Sequence, residues 1–105
     1  LGSEASHLPG KKGSVYCASK FGLRGFTQSL RKECSNRNIK VTLINPGMVK
    51  TNFFKNQNFE PRDTDTSVLK SKEVAKTILN TLKSSSGAVY DEINITPLNK
   101  IIDKK

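Results

Sequence analysis

Residues 14–36 run without a proline, and Leu23, Phe26 and Leu30 recur there at spacings of three and four. That is the period of one helix face, so the pattern predicts a helix over 14–36 with Ser14 as its N-cap. Gly22 and Gly25 each weaken such a helix by about 1 kcal/mol relative to alanine. Small residues of this kind let another backbone come close, so the helix is expected to pack tightly against something. Residues 39–45 (IKVTLIN) are β-branched and mostly apolar, and Pro46-Gly47 halts them, which reads as a buried strand. Residues 48–70 mix aromatic, acidic and polar side chains with Pro61 and show no sustained period. Long ordered loops of this kind usually carry function.

A second helix is expected over 72–83, capped by Ser71, with Glu73 in its first turn and Val74, Ile78 and Leu82 four apart. Lysines fill its other face. Residues 84–87 turn, and 88–96 (AVYDEINIT) read as a strand with Ile93 and Ile95 on one face, stopped by Pro97. Upstream, residues 4–13 have loop composition, with Pro9, Gly10 and Gly13. Strands alternating with helices predict an α/β fold with a parallel sheet. Two strands cannot form a sheet that buries both faces, so the 105 residues read as part of a longer polypeptide. The first residue, Leu1, agrees with that expectation, as does the absence of a basic-then-apolar leader over 1–15.

Charge changes this picture little. The formal net charge is +9, but the 18 Lys and Arg are scattered, with no basic arm and no aromatic-interleaved basic face, so no nucleic-acid partner is expected. No apolar run approaches the length of a membrane span, and no membrane association is expected. Cys17 and Cys34 would lie about 25 Å apart along one helix and cannot pair. Without ligand spacing around them or around His7, no metal site is expected, and His7 reads as a loop residue. Two unpaired cysteines suit a reducing, cytoplasmic location.

Candidate chemistry enters at Tyr16-Cys17-Ala18-Ser19-Lys20. Four apart on a helix, Tyr16 and Lys20 share a face, with Cβ atoms about 5–6 Å apart. A phenol with a pKa near 10 is a poor proton carrier at neutral pH, and a shift of three units takes about 4 kcal/mol. One ammonium about 4 Å away at an effective dielectric near 20 supplies a similar amount. Taken alone, the pair is weak evidence and reads first as a surface tyrosine beside a surface lysine.

The stretch YCASKFGLRGFTQSLRKE, followed by VTLINPGMVKT, closely resembles the single-domain short-chain dehydrogenases/reductases. Tyr16, Ser19 and Lys20 match the family's Tyr-x-x-Ser-Lys helix, and Pro46-Gly47 and then Thr51 match the end of the strand that follows it. Ser3, thirteen residues before Tyr16, matches the family's catalytic serine; Ser6 stands where a glycine is usual and Gly2 where a serine is frequent. The tail, with Glu73-Val74-Ala75, then Asp91-Glu92-Ile93-Asn94-Ile95 and Pro97, is similar to a bacterial subgroup that oxidises small 3-hydroxy acids and serine, generally with NADP. No Gly-rich dinucleotide turn and no Asn-Ala-Gly segment is present.

The resemblance implies the C-terminal half of a Rossmann-like doubly wound parallel sheet. Residues 1–105 would be the C-terminal part of one NAD(P)-binding domain, with its catalytic helix at about 14–36, its substrate loop at about 48–70 and its dinucleotide-binding half absent. The implied reaction is hydride transfer between NADP or NAD, with NADP favoured, and an alcohol or carbonyl carbon, such as that of a small 3-hydroxy acid. Tyr16 would be the general acid/base and Ser3 would hydrogen-bond the substrate oxygen. Lys20 would lower the tyrosine pKa and bind the nicotinamide ribose. Pro46, Gly47 and Val49 would shape the nicotinamide pocket, Thr51 would hydrogen-bond the cofactor, and Tyr16 would also line its site. Met48 and Phe53 would be either core or substrate contacts. The expected assembly is a homodimer or homotetramer joined partly through the catalytic helix. The competing reading is a truncated, catalytically inactive relative that serves as a binding or assembly module.

Overall fold

The computed structural model describes residues 1–105. The chain forms helix α1 (Ser14–Cys34), strand β1 (Leu43–Pro46), strand β2 (Phe59–Pro61), helix α2 (Ser71–Leu82), strand β3 (Glu92–Ile95) and strand β4 (Ile102–Lys104). Three single 3-10 turns, Glu4–Ser6, Ser35–Arg37 and Asn52–Phe54, fill the connections.

α1 begins where the helical period begins, but Gly13, not Ser14, is its N-cap, and no side chain caps it. It ends at Cys34, and the Ser35–Arg37 turn carries the chain on to Asn38, which takes the left-handed conformation at φ 57°. Asparagine tolerates that conformation better than most residues. Lys20, Leu23, Thr27 and Leu30 are among the better covered positions of α1, and Thr27 is buried, its hydroxyl donating to the Leu23 carbonyl at 2.7 Å. Gly22 and Gly25 meet nothing: a Cβ on either would have open space. The close approach expected at these glycines does not occur within the chain.

β1 and β3 pair in parallel, Leu43 opposite Glu92 through Pro46 opposite Ile95, and α2 lies on the crossover between them. Both strands are shorter than the apolar runs predict. Residues 39–42 and 88–91 lie outside the strands and Ile39 is exposed, because a strand exists only where a partner offers its hydrogen bonds, and pairing opens with the Leu43 N–H on the Asp91 carbonyl at 3.1 Å. Pro46 does not stop β1 but closes it, taking the last register position, where its missing N–H does not break the ladder. The Gly47 N–H then donates to the Ile95 carbonyl at 2.8 Å. α2 starts at Ser71 itself, with Lys70 as an N-cap that makes no side-chain bond; Val74 is buried while Leu82 is exposed.

The stretch 48–70 is more ordered than its mixed composition suggests. Val49 bridges Leu69 in parallel, Ser67, Val68 and Leu69 are buried, and β2 pairs antiparallel with β4, Phe59 opposite Lys104. β4 carries no predicted strand. Arg62 clamps the ribbon by donating to both carboxylate oxygens of Asp103, at 3.2 and 2.9 Å.

The apolar core is small: Leu43, Ile44, Val68, Leu69 and Val74. Beside it sits a polar network. Asn45 is fully buried and its Nδ2 donates to Glu92 Oε1 at 2.7 Å and Asn94 Oδ1 at 3.0 Å, while Arg24 Nε donates to both oxygens of Glu92 at 3.0 Å. The Asn45 Nδ2 is thereby satisfied while its Oδ1 is buried without a donor, and this chain of contacts ties α1 to both parallel strands.

Candidate active site

Beyond the carboxyl end of β1 lies a cavity of about 540 Å³. Open α/β sheets place ligands at this end of their strands. The N-terminal stretch reaches it because the Gly2 N–H donates to the Ile44 carbonyl at 2.8 Å, which lays residues 1–3 along β1. Gly2 is required there: a Cβ would stand 2.3 Å from Asn45 Oδ1 and 2.6 Å from Ser6 Oγ. The glycine at position 2 and the fully buried serine at position 6, the two departures from the usual family pattern, therefore fit against each other.

Ser3 caps the Glu4–Ser6 turn in a reciprocal box. Its Oγ accepts from the Ala5 N–H at 3.2 Å, and Ser6 Oγ accepts from the Ser3 N–H at 3.1 Å. The Ser3 hydroxyl proton has no acceptor within the chain, which leaves it free to be donated into the cavity it lines. Tyr16, in the first turn of α1, lines the same cavity; its hydroxyl makes no hydrogen bond, and its ring meets Phe53 at a centroid distance of 6.3 Å. Lys20 is outside the cavity wall, its Nζ 5.6 Å from the Tyr16 ring centre, and it makes no ion pair. Ser19 turns back on its own helix, donating to the Tyr16 carbonyl at 2.7 Å.

Pro46, Gly47, Met48, Val49 and Thr51 line the far wall. Thr51 caps the Asn52–Phe54 turn, its Oγ1 accepting from the Phe53 N–H at 3.2 Å, and so has its own proton to give. At Gly47 a Cβ would come within 3.1 Å of Pro97 Cδ and 3.4 Å of Glu4 Oε2. Of the seven candidate residues, six line one cavity and Lys20 stands behind Tyr16. Met48 and Phe53 also face the cavity, and Phe53, Phe54 and Phe59 stack edge-to-face at 5.0 and 5.7 Å along its rim.

Two further residues escape sequence reading. Glu4 and Lys100 are the only charged side chains in the wall, and Lys100 Nζ donates to Glu4 Oε1 at 2.7 Å. Glu4 has loop composition around it, and Lys100 is one basic residue among 18, so no local pattern joins positions 96 residues apart.

A family model described as short chain dehydrogenase matches residues 1–62. An uncharacterized oxidoreductase of Staphylococcus epidermidis is 33% identical over 98 residues, covering 93% of this chain and 41% of that protein. A serine dehydrogenase in its closed form, complexed with NADP+, superposes with a TM-score of 0.72 at 22% identity, over 90% of this chain and 41% of its own. A betaketoacyl-[ACP] reductase from Bacteroides thetaiotaomicron gives a TM-score of 0.68 at 27% identity, over 81% and 36%. The chain thus spans about 41% of the length of the curated relative it matches. No helix is long and apolar enough to cross a membrane. With the family match covering more than half of the residues and the same Rossmann-like α/β fold in the solved relatives, the chain belongs to the short-chain dehydrogenase family.

Proposed function

We propose that this chain is the catalytic, C-terminal part of an NAD(P)-dependent oxidoreductase that interconverts an alcohol and a carbonyl. The observation that carries the reading is the convergence of Ser3, Tyr16 and the 46–51 segment on one cavity at the carboxyl end of β1. Its volume lies within the range of small-molecule sites.

The residues suit the nicotinamide end of such a cofactor. Lys20 is half-buried without a counter-ion, as suits an ammonium that binds a ribose diol, and Thr51 has an uncommitted hydroxyl proton. Pro46, Gly47 and Val49 offer a mostly apolar wall for a flat ring. When bound, the nicotinamide gives or takes the hydride. Tyr16 moves the proton to or from the substrate oxygen, and Ser3 donates a hydrogen bond to that oxygen. The Lys20 ammonium offsets the negative charge that develops on the phenol oxygen. The pyrophosphate-binding turn belongs, on this reading, to a preceding half of the domain. NADP is the favoured cofactor, supported by the likeness to the NADP+-bound relative.

A small 3-hydroxy acid is the finer substrate expectation. The one cation in the cavity wall, Lys100, is already paired with Glu4, so a substrate carboxylate would have to share it. The protein is proposed to act in the cytoplasm as a homodimer or homotetramer, a reading supported by the exposed Val15 and Phe26 and the open surface at Gly22 on the outer face of α1.

The test is the appearance of reduced nicotinamide absorbance when the full-length protein meets a panel of secondary alcohols with NADP or NAD. Tyr16→Phe is expected to remove turnover by at least about 100-fold. Turnover in that variant at the wild-type rate would overturn the reading and favour the inactive, assembly-module alternative or a different proton carrier.

A further inference from the structure

Glu4 follows the candidate catalytic serine directly, and its side chain is only 18% exposed in the wall of the cavity. One carboxylate oxygen, Oε1, is taken by Lys100. The other, Oε2, faces Gly47, where the missing side chain leaves it room, and it accepts no hydrogen bond from the protein. The cavity therefore presents a carboxylate oxygen whose lone pairs have no protein donor. Lys100, half-exposed, balances the charge and holds the carboxylate in place. Every other lining side chain is neutral.

An acceptor in a site of low polarity selects strongly, because a partner without a donor leaves it stripped of water and unpaired. A carboxylate beside it is worse: Lys100 is already shared, so three charged groups would carry a net negative charge in a partly desolvated space. Resting on the reading of Tyr16 and Ser3 as the reacting groups, we propose that Glu4 determines specificity. It accepts a hydrogen bond from a hydroxyl or ammonium group on the carbon next to the carbinol, so that vicinal diols and amino alcohols are preferred over plain alcohols and over acids. This goes beyond the 3-hydroxy acid expectation, and the two part at the group adjacent to the reacting carbon.

A matched series separates them: 1-amino-2-propanol, 1,2-propanediol, 2-butanol and 3-hydroxybutyrate share one carbinol and differ only in the neighbouring group. In the full-length protein kcat/KM is expected to fall in the order amine, diol, butanol, acid, with the amine above butanol by about tenfold or more. Glu4→Gln, which keeps the shape and removes the charge, is expected to cancel the amine's advantage and raise activity on the acid, which then finds Lys100 unpaired. Saturation transfer from protein to the methyl group of each compound should follow the same order in the presence of the cofactor. If Glu4→Gln fails to fold, Lys100→Gln on the half-exposed partner should depress the acid further and spare the amine. An acid that is best in the wild type, or an amine-to-butanol ratio unmoved by both variants, overturns the proposal and leaves the hydride-transfer reading standing. No turnover of the full-length protein on any of the four or on the wider panel of secondary alcohols, with either NADP or NAD, overturns both.

Discussion

The ammonium of Lys20 lies over the Tyr16 ring, 5.6 Å from its centre, one helical turn along α1. The contact is a cation–π pair on a partly exposed ring, worth about 0.5–1 kcal/mol. Its catalytic value on the proposed mechanism is larger, since the same charge acts on the phenol oxygen as it ionises. Lys20→Met, which keeps the apolar stem, should lower kcat/KM by at least about 100-fold while shifting stability by no more than about 1 kcal/mol. Denaturant titration beside steady-state kinetics reads both. Equal, small losses in the two would show that the lysine only packs.

Gly2 should tolerate no side chain. A methyl group there would meet Asn45 Oδ1 at 2.3 Å and Ser6 Oγ at 2.6 Å, both on fully buried residues, so Gly2→Ala must displace these two side chains and the contacts they make with the serine turn and β3. Overpacking of this kind costs about 1–3 kcal/mol. Because Ser3 is the next residue, activity should fall along with the denaturation midpoint. A Gly2→Ala variant with both unchanged would mean that the serine turn is not held against β1.

The Arg62–Asp103 clamp predicts an acid dependence. The hydrogen bond from Arg62, joined by the attraction of its charge, holds the Asp103 carboxyl below its usual range and raises the guanidinium above its own. A carboxylate with a lowered folded-state pKa contributes stability that is complete above the unfolded value, about 3.9, and is lost as pH falls through the folded one. The β2–β4 ribbon should therefore open in acid before the β1–β3 pair does. Amide exchange at residues 59–61 and 102–104 followed from pH 6 to pH 3 would detect it, and Asp103→Asn should abolish the difference. The clamp is solvent-exposed, so the effect should shrink as salt is added.

Phe26 is 64% exposed on the outer face of α1, on the same side as Val15 and Gly22. If that face meets a second copy, Phe26→Asp should convert the oligomer to monomer in light scattering, with little change in the monomer's own fold. A wild-type protein that is fully active as a monomer would end the proposed assembly.

What could be read in advance was what is local. The helical period of α1 and the four-residue spacing of Tyr16 and Lys20 depend on neighbours in sequence, and both stand where the pattern puts them. Strand ends depend on a partner: the apolar run at 39–45 gave no means of telling that pairing would start only at Leu43 and run through Pro46. β4 was invisible because Ile-Asp-Lys is ordinary tail sequence until Phe59–Pro61 lies beside it. The cavity's charged pair was hidden for the same reason, since Glu4 and Lys100 meet only after the whole domain segment has folded. The helix cap differs from expectation for a local reason. Ser14 has a good capping side chain but sits one position inside the helix, and the Gly13 conformation takes its place.

The ribbon that pairs β2 with β4 also bears on how this cavity can change. Phe54 and Phe59 sit on a segment whose far side is sewn to residues 101–105: the Arg62 N–H to the Ile101 carbonyl at 2.9 Å, the Lys105 N–H to the Asn58 carbonyl at 3.0 Å, and Lys105 Nζ to the Phe54 carbonyl at 2.6 Å. Lys100, on the same tail, reaches Glu4. The segment 48–70 is thus not a detachable module. A graft that moved residues 48–70 between relatives would carry the aromatic rim without its brace, and specificity would transfer only if the tail from Pro97 onward moved with it.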